Sequence, residues 1–238
     1  MSAMLRRFLM PQLRKDMRIL SVGCGMGSDV VCLRDAGYQA FGLDPSRLAL
    51  DSLPGDYHSF FRIGAVEERP FGHETFDFIY ALDVIEHVGC VNFGTKVTGE
   101  TEAVRVAFIS ACLEMLAPGG SLLLTTSNRY FPVDPGHWHG YHWFGRLFKG
   151  REKLGISLPW SSKNFLVSVG DVKRLVCKAD GSGVFDVRAL PAADYPTIAE
   201  RRSLKASVVN AGLRLVDMPL LRGSFLSPVL VIGITKAN

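Results

Sequence analysis

The sequence lacks the long apolar runs that carry a chain through a membrane. No stretch among its 238 residues reaches the roughly eighteen consecutive apolar residues that a spanning helix needs. The first eighteen residues place basic side chains around a short apolar group that Pro11 interrupts, without the apolar core or cleavage site of a signal peptide. We therefore interpret residues 1–17 as a lead-in to the first strand, with peripheral contact to a membrane surface as the second interpretation.

The sequence also has few cysteines and no strong excess of one charge. Its five cysteines are odd in number, include no C-x-x-C pair and fall mostly in predicted core segments, which indicates reduced thiols in a cytoplasmic protein. A net charge of +4 is too small to indicate a nucleic-acid partner by itself. There is no internal repeat or low-complexity segment. A hydrophobic content of 47% with 21% charged residues predicts one packed globular domain.

What the sequence does contain is a strand, a glycine-rich turn and a helix within its first fifty residues. An apolar run at residues 19–22 meets three glycines at alternate positions, Gly23, Gly25 and Gly27, and a helical stretch follows. A second apolar run ends on Asp44 and completes a β-α-β unit of about thirty residues. Glycines let a ligand approach the backbone N–H groups at a helix start, and a carboxylate after the second strand can bind both ribose hydroxyls. The unit therefore predicts a nucleotide-cofactor half-site.

The spacing of the glycines distinguishes between cofactors. A dinucleotide site favours glycines at the first, third and sixth positions of the turn, whereas Ser28 occupies the sixth position here and Gly27 the fifth. This Gly-x-Gly-x-Gly form resembles the first motif of the class I S-adenosylmethionine-dependent methyltransferases. Two alternatives stay open: the glycines could serve close strand-helix packing, and Asp44 could cap the next helix.

Later segments resemble the same family. Residues 66–79 are similar to its motifs after the third strand and in the fourth, residues 82–88 to the segment after the fourth strand in its small-molecule branch, and residues 116–124 to its Pro-Gly-Gly turn into the fifth strand. The resemblance covers residues 18–128 and implies an α/β fold, a Rossmann-like sheet of seven mostly parallel strands with the last one antiparallel and helices on both faces. The methyltransferase domain would span residues 18–238, with a substrate-side insertion at about 129–165.

The resemblance also implies how S-adenosylmethionine, and its product S-adenosylhomocysteine, would be held. The glycines would line the methionine and ribose portions, and Asp44 would hold the ribose hydroxyls. Val66 and Glu67 would lie beside the adenine, and Leu82 and Asp83 near the sulfonium. The residues implied to contact the cofactor are Gly23, Cys24, Gly25, Gly27, Asp44, Pro45, Val66, Glu67, Leu82, Asp83 and His87.

Two positions depart from the family pattern. Ser21 stands where an acidic residue is common, which weakens the usual support of the glycine turn, and Ala65 stands where an aspartate often meets the adenine amine. These departures keep a second hypothesis open, a catalytically silent methyltransferase-like domain that binds or regulates a partner. A third, NAD-dependent oxidoreduction, is disfavoured by Ser28.

A cluster of histidines and aromatic residues in the insertion supplies candidates for catalysis. His137 or His139 could be the general base for an oxygen acceptor, or the cluster could shape an acceptor pocket without moving a proton. A metal site is not predicted, because the H-x-H-x-x-H spacing needs a fourth ligand from elsewhere. Basic residues follow the cluster and indicate a solvated face or an acceptor that carries phosphate or carboxylate.

The sequence as a whole favours an enzyme. We expect a cytoplasmic S-adenosylmethionine-dependent methyltransferase, monomeric or homodimeric, that acts on a small-molecule or lipid- or glycan-linked acceptor, preferentially at oxygen. A nucleic-acid partner is not expected, because no recognised RNA-binding module is present.

Overall fold

A single sheet organises the part of the chain that the computed structural model describes, which is residues 4–91, 96–131, 165–181, 183–195 and 211–236. Its strands are β1 (Arg18–Val22), β2 (Gln39–Asp44), β3 (Phe61–Ile63), β4 (Phe76–Leu82), β5 (Leu116–Ser127), β6 (Phe185–Leu190) and β7 (Val229–Lys236). The order is β3-β2-β1-β4-β5-β7-β6, and β7 runs antiparallel to both of its neighbours while the other pairs are parallel. The seven-stranded sheet with an antiparallel last strand is confirmed.

Helices cover both faces of this sheet. They are α1 (Ser28–Asp35), α2 (Leu48–Ser52), α3 (Thr101–Glu114) and α4 (Val169–Asp180). Successive strand residues point to opposite faces, so Ile79 packs in a core with α3 and α4, whereas Tyr80 packs in a second core with α1. Burial on both faces explains why β4 reads as an almost continuous apolar run.

The lead-in belongs to the second core. Leu5, Phe8 and Leu9 lie in a short π-helix, Leu5–Leu9, and all three side chains are buried beside residues of α1 and β1. Leu13 is buried as well. The buried apolar side chains in the described part of this segment, from residue 4 onward, therefore pack inside the fold, and peripheral membrane contact stays a prediction.

Two local predictions differ from the structure. The sequence pattern at residues 58–63 predicts the third strand, but a 3-10 helix, Gly55–Phe60, occupies the first half of that stretch and leaves only Phe61–Ile63 as strand, because Pro54 and Gly55 start a new turn. The turn expected at Pro118 lies within β5, where the β4 register shifts between Phe76 and Phe78 to accommodate the extra residues. No helix among the described residues is long and apolar enough to cross a bilayer.

Candidate active site

The glycine turn, residues 23–27, joins the end of β1 to α1. Gly23, Gly25 and Gly27 all have positive φ angles, of 72°, 53° and 71°. A Cβ on Gly23 would stand 2.5 Å from Val84 Cγ2, and one on Gly27 would stand 2.5 Å from Phe61 Cε1, so close packing explains both positions. A Cβ on Gly25 would meet nothing within 4 Å. The open space beside Gly25 is therefore available to a ligand.

Asp44 at the end of β2 faces this turn. Its Oδ2 accepts a hydrogen bond from the Gly25 N–H at 2.8 Å, and its Oδ1 accepts from the Ser46 N–H at 2.8 Å and the Ser46 hydroxyl at 2.6 Å. The N-cap position of α2 is Arg47, so the alternative that Asp44 caps the next helix is wrong: the carboxylate closes an Asx turn with Ser46 instead. Asp44 thus joins the carboxyl end of β2 to the middle of the glycine turn.

A cavity of about 250 Å³ lies beside the turn. Its walls come from the ends of β1 and β2, the segments after β3 and β4, and one side of α3. They are mostly apolar, which suits a planar base. Four predicted cofactor residues line it: Gly23, Pro45, Val66 and Glu67. Ala65 lines it too, so the position where the family often has an aspartate faces the cavity with a methyl group instead.

The remaining predicted cofactor residues lie outside that wall. Cys24, Gly25, Gly27 and Asp44 belong to the turn and its support, and Leu82 ends β4. The Cys24 thiol is half-buried, and burial together with the Asp29 and Asp44 carboxylates raises its pKa to about 12, so it stays a neutral thiol. An open glycine position, an apolar cavity and a strand-end carboxylate fit a nucleoside-containing cofactor.

A second group, the Asp83 cluster, consists of Asp83, Thr125 and Tyr195 and follows the ends of β4 and β5. The Asp83 N–H donates to Thr125 Oγ1 at 3.0 Å, Thr125 Oγ1 donates to the Tyr195 hydroxyl at 2.9 Å, and this hydroxyl donates to Asp83 Oδ2 at 2.6 Å. Each hydroxyl gives one hydrogen bond and accepts one, so the three residues form a closed ring. Burial and the Asp83 charge raise the pKa of Tyr195 well above its usual range, which keeps the phenol protonated as a donor.

The backbone of Asp83 is strained. Its φ of 54° is in the left-handed region, which costs a non-glycine residue about 1–3 kcal/mol. The Asp83 N–H hydrogen bonds and the Tyr195 contact hold this conformation, and the side chain remains exposed at the edge of the sheet. Asp83 adjoins Val84, which contacts Gly23, so the Asp83 cluster is next to the glycine turn.

The rest of the segment after β4 is fixed by a buried arginine. Arg105 from α3 donates to the carbonyls of Glu86, Val88 and Phe165 at 2.6, 3.2 and 2.7 Å, and burial lowers its pKa. His87 stacks on Phe165 with ring centroids 6.1 Å apart. The loop that carries Asp83 is therefore held to Phe165, in the segment that leads into α4.

Not all the candidates can be placed. His137 and His139 lie outside the described residues, as does most of the basic stretch. Its described members are Lys173, Arg174 and Lys178. Arg174 pairs with Asp171 at 2.7 Å and Lys178 with Glu102 at 2.6 Å, so neither of these two is an open cation. In the described ranges, no group of three or more His, Cys, Asp or Glu side chains could hold a metal ion.

Comparison with known proteins identifies the fold and its family. The model of a family described as a methyltransferase domain matches residues 1–163. The chain belongs to this methyltransferase family. The resemblance to class I S-adenosylmethionine-dependent methyltransferases and the Rossmann-like fold are both confirmed.

Individual relatives share less than a third of their aligned residues with this methyltransferase. The ubiquinone biosynthesis O-methyltransferase of Rhizobium etli is 29% identical over 128 residues, which cover 50% of this chain and 44% of the relative. The chain thus spans less than half the length of this curated relative. Among solved structures, the CcbJ methyltransferase of Streptomyces caelestis has a TM-score of 0.60 at 14% identity, covering 99% of this chain and 90% of its own. Phosphoethanolamine N-methyltransferase 2 of Haemonchus contortus, in complex with S-adenosyl-L-methionine, has a TM-score of 0.52 at 16% identity, covering 99% and 51%.

Proposed function

We propose that this methyltransferase, with S-adenosylmethionine as its cofactor, methylates an oxygen atom of a small-molecule or lipid- or glycan-linked acceptor. The cofactor would lie along the carboxyl ends of β1, β2 and β4, with its adenine in the apolar cavity, its ribose at Asp44 and its methionine portion over Gly25. Asp44 would exchange part of its present bonding to Gly25 and Ser46 for the ribose hydroxyls, and the Gly25 backbone would approach the ligand without a side chain in the way.

The observation that carries the acceptor assignment is the Asp83 cluster. The bound sulfonium supplies an activated methyl group, so the chain itself has to position the acceptor, exclude water and remove a proton. An amine or a thiolate needs little help, whereas a hydroxyl acceptor benefits from a general base. Asp83 presents an exposed carboxylate next to the glycine turn, and the Tyr195 hydroxyl, which itself accepts a hydrogen bond from Thr125, holds that carboxylate in place. This arrangement suits a hydroxyl acceptor.

The proton acceptor could be Asp83 itself or a histidine of the insertion, His137 or His139. The O-methyltransferase name of the R. etli relative supports oxygen as the target. We further propose a cytoplasmic location, because all five cysteines are free thiols. The proposed oligomeric state is a monomer or a homodimer.

A methyl-transfer assay with isotopically labelled cofactor tests the proposal. The purified chain is incubated with catechol, an aliphatic alcohol, an amine and a thiol as separate probes, and labelled product is counted. Transfer to the catechol or the alcohol in preference to the amine and thiol is the expected result. Exclusive transfer to nitrogen or sulfur would contradict the oxygen assignment. No detectable S-adenosylhomocysteine binding in a calorimetric titration would favour the alternative of a catalytically silent domain.

A further inference from the structure

Asp29 joins the start of α1 to the two central strands of the sheet. Its Oδ2 accepts hydrogen bonds from the Ser21 hydroxyl at 2.9 Å and the Tyr80 hydroxyl at 2.6 Å. Ser21 on β1 and Tyr80 on β4 are paired across the sheet, and their exposed fractions are only 3% and 0%. One carboxylate therefore links α1 to β1 and β4 directly after the glycine turn.

The glycine turn depends on such contacts for its conformation. A glycine-rich backbone loses more conformational entropy on ordering than any other, and three of the five residues here are glycines with positive φ. Asp44 fixes the middle of the turn through the Gly25 N–H. The turn ends at Gly27, which is the N-cap of α1 and has no side chain to cap the helix. Among the described residues, Asp29 is the one whose side chain hydrogen-bonds the start of α1 to the sheet. A carboxylate in the first turn of a helix is also favoured by the helix dipole.

We propose that Asp29 is a positioning residue for the cofactor: through Ser21 and Tyr80 it holds the glycine turn in the conformation that binds S-adenosylmethionine. The carboxylate that is missing at position 21 is thus supplied from eight residues further along the chain, and the Ser21 hydroxyl reaches it. This inference rests on the proposed binding of S-adenosylmethionine at the turn. It assigns no contact between Asp29 and the cofactor itself.

The consequence is a change in apparent affinity. If the turn occupies its binding conformation only part of the time, the measured dissociation constant rises in inverse proportion to that fraction. Asp29→Asn removes the charge that strengthens both hydrogen bonds, and Tyr80→Phe removes one of the two donors. We expect S-adenosylhomocysteine to bind Asp29→Asn about tenfold more weakly than the wild type, which corresponds to about 1.4 kcal/mol.

The chain offers a matched control at the other end of the same helix. Tyr57 donates to Asp35 Oδ1 at 2.7 Å, so this exposed pair has the same chemistry as Tyr80 and Asp29 but lies away from the turn. Calorimetric titration with S-adenosylhomocysteine should give Asp35→Asn and Tyr57→Phe the wild-type affinity. Amide hydrogen exchange supplies a second measurement: the Gly25 and Gly27 N–H groups should exchange faster in Asp29→Asn and be unchanged in Asp35→Asn.

A reciprocal exchange distinguishes positioning from general stability. Asp29→Ser should weaken binding, and the double variant Ser21→Asp, Asp29→Ser should restore the affinity to within about threefold, because the carboxylate and hydroxyl have only exchanged places. If Asp29→Asn does not fold, Tyr80→Phe provides the same test with a smaller change. If the wild type binds S-adenosylhomocysteine and Asp29→Asn or Tyr80→Phe binds it with the same affinity, the inference is overturned and the proposed function is not. A wild-type protein that binds no S-adenosylhomocysteine overturns the proposed function, and the inference with it.

Discussion

The Tyr195 hydroxyl donates a hydrogen bond of 2.6 Å to Asp83 Oδ2, although the two residues are 112 positions apart in the chain. Phe8 of the lead-in packs edge-on against the Tyr195 ring, with centroids 5.1 Å apart. The phenol is therefore held from one side by the first residues of the fold and from the other by the carboxylate that we place beside the acceptor. Through Tyr195, the lead-in thus supports the carboxylate that we propose as a proton acceptor.

Replacing Tyr195 should impair turnover more than cofactor binding. Tyr195→Phe keeps the ring against Phe8 but removes a hydrogen bond to a charged group, which is worth about 1.5–3 kcal/mol. We expect kcat to fall about tenfold or more in the methyl-transfer assay while the affinity for S-adenosylhomocysteine stays within about twofold. Tyr57→Phe, which loses an equivalent hydrogen bond at the surface, is the control and should keep full activity. An active Tyr195→Phe enzyme would remove Tyr195 from the mechanism.

Replacing Asp83 should have a larger effect. Asp83→Asn cannot take a proton from a hydroxyl acceptor, and general-base catalysis is worth roughly a hundredfold or more in rate. The loss should be greatest with catechol and smaller with 4-nitrocatechol, which ionises more readily and needs less help. An equal loss with both probes would show that Asp83 only positions the acceptor. Normal turnover in Asp83→Asn would leave His137 and His139 as the candidate bases.

Two glycines with the same geometry test the position of the cofactor. Gly25 and Gly72 both have positive φ, of 53° and 62°, and an added Cβ would meet nothing within 4 Å at either. Alanine at either position should cost about 1–2 kcal/mol of folding stability through the left-handed backbone alone. Only Gly25→Ala should weaken S-adenosylhomocysteine binding, because its methyl group would enter the space that we assign to the ligand. Equal affinities in the two variants would place the cofactor elsewhere.

Most of the sheet could be predicted from the sequence because the patterns that indicate each strand lie within a few consecutive residues. The apolar runs of β1, β2 and β4 and the glycine turn are each contained within a few residues, and the two-residue alternation assigns side chains to the two faces. The third strand begins at Phe61 and not at residue 58, because Pro54 and Gly55 start a 3-10 helix that extends to Phe60.

The supporting contacts could not be predicted in the same way. Tyr195 hydrogen-bonds Asp83 from 112 positions away in the chain, and Tyr80 hydrogen-bonds Asp29 from 51 positions away. No rule of sequence spacing relates residues so far apart. A weak signal existed only for Asp29: Ser21 lacks the expected acid, and an acid follows in the first turn of the next helix. Asp44 could be predicted as a strand-end carboxylate, but its Asx turn with Ser46 became visible only in the structure.

The stability of the fold should depend on Asp171 in a pH-dependent way. Burial alone would raise the pKa of this carboxyl, but hydrogen bonds from Ser168 and the charges of Arg129 and Arg174 outweigh it and hold the pKa below its usual value. A lowered folded-state pKa contributes stability that is present above the unfolded value of about 3.9 and is lost as the pH falls below it.

Denaturant unfolding of Asp171→Asn should show this dependence. We expect a loss of about 2 kcal/mol relative to the wild type near pH 6, because the variant also weakens the capping box of α4. The difference should shrink as the pH falls below the unfolded value of about 3.9 and the wild-type carboxylate becomes protonated. A difference that does not vary with pH would mean that the Asp171 charge adds nothing to stability.

Binding of S-adenosylhomocysteine to the wild-type chain tests the central claim most directly. In a thermal or denaturant unfolding experiment, a ligand that binds only the folded protein adds about 2.7 kcal/mol of stability at a hundred times its dissociation constant. The account predicts saturable stabilisation with one site per chain that is lost in Asp44→Asn and Gly25→Ala and retained in Gly72→Ala. No stabilisation of the wild type, or equal stabilisation of all four proteins, would contradict it.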